Sequence, residues 1–450
     1  MGLRRSGRAW LYRTLRRLYW ALPLSEERRA ALRQAFIRLT GYRISRLAPL
    51  GSDPAEVNPG ASKPNVEDYY VWAVIDWHFR FQRPQHLAIE LARAQRRVFY
   101  ISSNFIDEAA SGFRVEPLDS SGRLFQIFLQ VKGAPAIYSG LPNFQTREQL
   151  RASLSELLVW TGSQRTVSLV QHPFWFETAR ALPNGRLVYD CMDYHEGFGA
   201  FSEETMGREQ ALMKSADLVV VSSAWLDENT APYNPRRALI RNAADYEHFA
   251  RPPEVVFQDP QGRRVIGYYG AIAGWFDVEL VAAVARRFAD CLVLLVGHDH
   301  SGAARKLGGC PNVRFTGEAP YAELPYYLYG FDVCLLPFRI SPLTLATNPV
   351  KVYEYLSAGR PVVSVDLPEI RQFGDLVQVA GDREAFVAAV GEALFGPRDS
   401  AKIARRQAFA AEQTWAHRGA ELMRAIKAIP DPLVRVSVTA SNNLEQKSLS

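Results

Sequence analysis

Along most of this chain, short apolar runs alternate with stretches in which apolar residues recur every three or four positions. Runs at 70–75, 98–102, 124–131, 166–170, 187–189 and 218–221 have the length of strands and lack the polar alternation of a solvent-facing sheet. Helical patterns separate them: one opens at Arg83-Pro84-Gln85 and ends near Ala94, and others lie around 147–161 and 202–215. Apolar strands interleaved with helices predict a parallel sheet covered on both faces. After an exit strand at 238–240 the rhythm restarts, with strands at 265–269, 292–296, 313–316, 333–337, 361–365 and 376–379 and helices at 278–289, 321–330 and 383–395. The expected fold class is α/β, two doubly wound Rossmann-like domains at 66–250 and 251–398. One long amphipathic helix is predicted over 401–429, and the Ser-, Asn- and Thr-rich tail 430–450 is expected to be disordered.

The ends of the chain have a different character. Leu11, Leu15, Leu18 and Leu22 form a narrow helical stripe, with Arg13, Arg16 and Arg17 opposite and Trp10, Tyr12, Tyr19 and Trp20 around it. Arginines interrupt each apolar run well before the roughly twenty residues a membrane span needs, and no small-residue cleavage site follows. A segment of this kind lies on a membrane rather than crossing it. A second helix begins at Ser25, and residues 49–65 are a Pro-, Gly-, Ser- and Asn-rich linker. Charge sharpens the point: residues 1–46 carry twelve arginines against Glu26 and Glu27, a surplus of ten, so the total of +6 leaves the remainder at −4. Basicity confined to one end argues against nucleic acid as a partner and for an anionic membrane surface met by residues 1–46. Cys191, Cys291, Cys310 and Cys334 are widely spaced, which indicates neither disulfides nor zinc and fits a cytoplasmic, peripherally membrane-associated protein.

Ligands of open α/β sheets bind beyond the carboxyl ends of the strands. In the second domain that place is taken by NPVKVYEYLSAGRPVVSVD, residues 348–366. Asn348 is a favoured N-cap, Pro349 fits the first helical position and Gly359 suits a left-handed stop, so a helix is expected over 349–358. Val352, Tyr353, Tyr355 and Leu356 share a core arc, while Lys351 and Glu354 lie together on the other. The helix start with Lys351 invites an anion, and Glu354 one turn on would accept hydrogen bonds from sugar hydroxyls. Gly270, within the glycine-containing loop 267–277, lets the backbone approach a phosphate. In the first domain, Asp193 of YDCMD is the candidate general base, with Asp190 orienting the turn and His195 and His172 weaker alternatives. Arg83 and His172 are assigned to the acceptor or phosphate side. His298-Asp299-His300 lacks a recognisable coordination set and no Asp-x-Asp pair occurs, so no metal is expected.

The run NPVKVYEYLSAGRPVV, preceded by VGHDHSG and PNVRFTGEAPYAELPYYLYGFDVCLLPF, resembles the donor half of GT-B glycosyltransferases. In the first domain, IDWHFRFQRPQHLAIELA and LVYDCMD are similar to bacterial members of the teichuronic-acid and exopolysaccharide type. The resemblance implies two Rossmann-like domains facing across a cleft and a last helix that crosses back to brace the first domain. It implies a nucleotide-diphosphate sugar as donor, with no separate cofactor, and a lipid-linked or saccharide acceptor in cell-surface polysaccharide biosynthesis. It also implies a phosphate-facing helix whose glutamate, here Glu354, meets the donor ribose. One position departs from the family: retaining members usually carry a second glutamate eight residues earlier, where this chain has Ala346. That departure points to an inverting transfer with Asp193 as base. Two rival functions share the architecture, a nucleotide-sugar 2-epimerase and a non-catalytic scaffold of a polysaccharide assembly complex.

Overall fold

The computed structural model describes residues 51–198, 202–397 and 399–430. The predicted amphipathic segment and tail lie outside them. The first sheet is built from β1 (Asp68–Trp72), β2 (Val98–Ile101), β3 (Phe113–Pro117), β4 (Leu124–Leu129), β5 (Thr166–Val170), β6 (Gly185–Cys191), β7 (Leu218–Val221) and β8 (Arg237–Leu239). Its order is β3-β4-β2-β1-β5-β6-β7-β8, parallel throughout except for β3 against β4. The second sheet contains β9 (Val265–Tyr269), β10 (Leu292–Val296), β11 (Val313–Gly317), β12 (Val333–Leu336), β13 (Val362–Val365) and β14 (Val377–Ala380). All its pairs are parallel, in the order β11-β10-β9-β12-β13-β14. Strand order reverses beside β1 in the first sheet and beside β9 in the second, which is where such sheets open a crevice at their carboxyl ends.

Among the described residues, the α-helices of eight residues or more are α1 (Arg83–Arg93), α2 (Phe144–Thr161), α3 (Glu203–Ser215), α4 (Val278–Arg287), α5 (Val350–Ser357), α6 (Arg383–Phe395), α7 (Ser400–Glu412) and α8 (Trp415–Lys427). Helix α1 starts where Gln82 and Gln85 cap each other reciprocally and a proline occupies the first turn. Apolar clusters cover both faces of the first sheet. One holds Tyr70, Trp72, Trp175 and Tyr189, and the other includes Trp415, Leu422, Ile426 and Ile429 from the last helix. That helix therefore completes the core of the first domain although it follows the second in sequence.

Two expectations change. The single helix over 401–429 is broken between α7 and α8, because the backbone at Gln413 leaves the helix to accept a hydrogen bond from Ala244 N at 3.2 Å. Thr414 then restarts it, its side chain accepting from His417 N. Strand β3 was not visible as a pattern: its FRVEP mixes charges and a terminal proline, as befits an antiparallel edge.

Helix α8 reaches α1 at very close range. His86 stacks on Trp415 with centroids 4.8 Å apart, and a Cβ added at Gly419 would lie 2.6 Å from Glu90 Cβ. Gly419→Val should therefore pry α8 from the first domain and lower unfolding free energy by about 1–3 kcal/mol, the usual cost of overpacking. Denaturant titration measures it, and parent-like stability would show that α8 does not brace the domain.

Candidate active site

Residues beyond the strand ends of the first sheet meet the start of α5, and within the second domain the segment after β9 meets the same helix. Helix α5 begins one residue later than expected, with Pro349 as its N-cap. Asn348 does not cap the helix with its side chain. Instead its Oδ1 accepts from Asn242 N at 3.0 Å, its own carbonyl accepts from Asn242 Nδ2 at 2.8 Å, and its Nδ2 donates to Glu369 at 2.7 Å. Glu369, almost wholly buried, also accepts from Ala224 N and from Arg241. Asn348 thus ties the start of the helix to the end of β8 in the first domain, a stronger restraint than a cap.

The Lys351 and Glu354 face is not the solvated one that helical spacing alone allows. Glu354 is buried and accepts from Tyr269 Oη at 2.7 Å. Burial pushes its pKa up to about 7, against the opposing pull of the Tyr269 hydrogen bond and of Lys351. Lys351 is shifted down by burial, with Glu354 opposing and Arg80 adding to the shift. Its Nζ lies 5.5 Å from the ring centres of both Tyr268 and Phe338, and no carboxylate of a described residue comes within salt-bridge distance. Gly270 makes the space: its φ is +130°, and a Cβ there would be 2.8 Å from Lys351 Cε. A half-buried ammonium with no ion-pair partner among the described residues, above an open backbone at a helix start, has the makings of an anion site.

On the first domain, Asp190 and Asp193 divide the work. Asp190 is fully buried and grips Arg83, at 3.0 Å from Nε and 2.8 Å from Nη2, while Gln171 donates to its other oxygen. No described residue donates a hydrogen bond to the Asp193 carboxylate. Burial raises its pKa to about 6, Arg83 opposes the rise and Asp190 adds to it. At neutral pH such a group is mostly ionised yet basic enough to take a proton.

Arg83 and His172 sit elsewhere than a phosphate would need. The remaining Arg83 nitrogen donates to Ile240 O at 2.8 Å and to Asn242 Oδ1, so the guanidinium is spent inside the domain. His172 is buried, its Nδ1 accepts from Phe174 N at the turn after β5, and its ring meets that of His195 edge-on at 5.4 Å. Burial drives His172 well below the usual histidine range and His195 to about 4, so both are neutral. In the second domain Asp299 accepts from Ser301, Ala303 and Ala304 N–H groups, which makes it the anchor of a turn. Among the described residues no group of three or more His, Cys, Asp or Glu is arranged to hold a metal. Tyr269, Asn242, Glu369 and Arg241 went unrecognised in the sequence; each lies in or just after an unremarkable apolar run.

Residues 263–395 match the family of Glycosyl transferases group 1. The chain is 27% identical over 254 residues to TuaH of Bacillus subtilis (strain 168), named for glycosyl transfer in teichuronic acid biosynthesis, covering 51% of this chain and 64% of that protein. Among solved structures, an α,α-trehalose-phosphate synthase from Burkholderia xenovorans with glucose-6-phosphate superposes with a TM-score of 0.62 at 12% identity, over 81% of this chain and 100% of that one. Anabaena Alr3699/HepE with UDP and glucose gives 0.57 at 16%, over 81% and 100%. The sucrose-phosphate synthase of Thermosynechococcus elongatus gives 0.55 at 14%, over 85% and 100%. These likenesses establish the fold.

The buried Glu354 carries a pH signature. Its folded pKa of about 7 lies above the ordinary 4.5, so the folded state holds the proton more tightly. The ionised form penalises folding fully above about pH 7, and the penalty fades as pH falls toward the unfolded value. Glu354→Gln keeps an acceptor for Tyr269 without the charge. It should gain up to about 3 kcal/mol over the parent at pH 8 and almost nothing near pH 4.5. A stability difference independent of pH in urea titrations would refute the buried carboxylate.

Proposed function

We infer that this chain, a GT-B glycosyltransferase whose second sheet is a Glycosyl transferases group 1 domain, transfers a sugar from a nucleotide diphosphate to a lipid-linked or saccharide acceptor of a cell-surface polysaccharide. The observation that carries the reading is the half-buried Lys351 lying over Gly270, with no carboxylate of a described residue at salt-bridge distance and Glu354 one helical turn on. The leaving group of such a reaction is a diphosphate whose negative charge grows as the sugar–oxygen bond breaks. Lys351 and the start of α5 would meet that charge. Glu354, held by Tyr269, would accept from the donor's hydroxyls. The likeness to TuaH supports the acceptor class.

On the acceptor side, Asp193 would remove the proton of the attacking hydroxyl, whose oxygen then bonds to the anomeric carbon as the diphosphate departs from the opposite face. That is an inverting transfer. Ala346, where retaining relatives carry glutamate, supplies no second carboxylate. Incubating the protein with a panel of nucleotide-sugars and a membrane lipid extract tests the reading: acceptor-dependent nucleotide release with inverted anomeric configuration by NMR is expected. Asp193→Asn should cut turnover by about two to four orders of magnitude with donor affinity nearly constant, whereas Lys351→Ala should weaken donor binding. The parent's rate should fall as pH drops through about 6, where Asp193 takes up a proton. Donor conversion without acceptor would indicate an epimerase, and retention of configuration would remove Asp193 from the role of base.

Residues 1–46 are proposed to hold the enzyme on the cytoplasmic face of the membrane, where a lipid-linked acceptor presents its head. Among the described residues no helix is long and apolar enough to cross a membrane. Each basic residue near an anionic leaflet contributes up to about 1 kcal/mol, screened by salt. Deleting 1–46 should abolish co-sedimentation with anionic vesicles and leave nucleotide binding intact; sedimentation unchanged by the deletion would contradict the anchor.

A further inference from the structure

The loop between β1 and α1 reaches across the cleft, and its shape is fixed from below. Gln85, fully buried in the first turn of α1, donates through Nε2 to the carbonyls of Asp76 and Trp77 at 3.3 Å and of Arg80 at 2.6 Å. Asp76 in turn accepts from Ser102, Asn104 and Gln126 at 2.7, 3.1 and 2.8 Å. A loop stapled this tightly holds its outward side chains in place. Two of them touch the second domain: Phe81 packs on Tyr321 at 5.8 Å between centroids, and Arg80 Nε donates to Glu318 Oε1 at 3.0 Å.

Arg80 is half-buried over the ring of Phe79, at 4.9 Å, and its charge is felt at Lys351. Glu318 follows Gly317, which pairs with Gly297, and Gly297 lies against Gly270 beneath Lys351, so both cations address the same end of the cleft, one from each domain. The glycine-containing loop after β9 carries no arginine or lysine from Gly270 to Asp277, so within the second domain Lys351 meets an incoming anion without basic help from that loop. Glu318 is a single carboxylate, part-exposed, whose bond to Arg80 is of the weak surface kind. A diphosphate bears more charge and more acceptor oxygens than a carboxylate and would outcompete it for a guanidinium.

We propose that Arg80 is a second binding group for the donor's diphosphate, and that Glu318 occupies its guanidinium until a nucleoside diphosphate displaces it. Glu318 is thus a resident competitor, and binding is linked to the release of one bond between the domains. The proposal rests on the donor reading given above.

Opposite signs in two variants test it. Titrating the parent, Arg80→Ala, Arg80→Lys and Glu318→Gln with UDP, GDP and ADP by calorimetry, Arg80→Ala should bind about tenfold more weakly and with a shallower salt dependence, Arg80→Lys should recover part of the loss, and Glu318→Gln should bind several-fold more tightly. Uridine, guanosine and adenosine, which lack the diphosphate, should not distinguish the proteins. If Glu318→Gln weakens binding as much as Arg80→Ala, the pair is a clasp that closes the cleft and the proposal is overturned. Parent-like affinity in Arg80→Ala overturns it as well. Failure of the parent to bind any of the three nucleotides would instead refute the donor reading itself.

Discussion

The arrangement depends on a buried ion pair that does no chemistry. Arg83, from the first turn of α1, is held bidentately by Asp190 at the end of β6, and both are out of solvent. Burying two charges is expensive, and such a pair adds little net stability, but breaking it by removing one partner typically costs about 3–5 kcal/mol. What the pair supplies is position. Its outer nitrogen binds Asn242, Asn242 binds Asn348, and Asn348 binds Glu369, so a continuous polar chain runs from the end of β6, just before Asp193, to the start of the helix that carries Lys351 and Glu354. The two halves of the candidate site are set relative to each other by hydrogen bonds with little tolerance for drift.

The Lys351 and Glu354 side of the candidate site is built at a cost to folding. Lys351 and Glu354 are both shifted toward their neutral forms, burial being the largest cause in each case. A core chosen for stability would place apolar side chains there, and the cluster around Tyr353, Tyr355 and Leu356 shows that the same helix can do so. Opposed shifts in groups one turn apart, beside a glycine whose missing Cβ leaves room for the ammonium, are typical of a place where binding rather than stability has set the residue types.

Much of this was legible in the chain. Strands β5, β7, β9 and β10 have the limits their apolar runs predict, because parallel strands buried on both faces carry no charged residue to blur the boundary. Lys351, Glu354 and Gly270 stand out because helix ends and strand ends have local signals. The burial of Glu354 did not stand out, since it depends on Tyr269, which is eighty-five residues away. Arg83 was misplaced for the same reason: its partner is 107 residues distant. Asn348 is an instructive case. Its residue type fits an N-cap, but a bond network from another domain took the side chain first. The break at Gln413 likewise comes from pairing with Ala244, a tertiary demand on a segment whose own periodicity is helical throughout.

The Ala346 position bears on where a reactive carboxylate can come from. Ala346 is almost completely buried and belongs to the apolar cluster of the first sheet, alongside residues such as Tyr189 and Trp175. Just before it, Leu343 presses so close to Gly197 that a Cβ there would be 3.0 Å from Leu343 Cβ. The segment between β12 and α5 is therefore used as a contact between domains, and a carboxylate at 346 would be buried among apolar side chains without a partner. The segment that Leu343 covers begins at His195, two residues after Asp193, whose carboxylate has no hydrogen-bond donor among the described residues. The packing at Ala346 and the surroundings of Asp193 thus belong to the same domain contact.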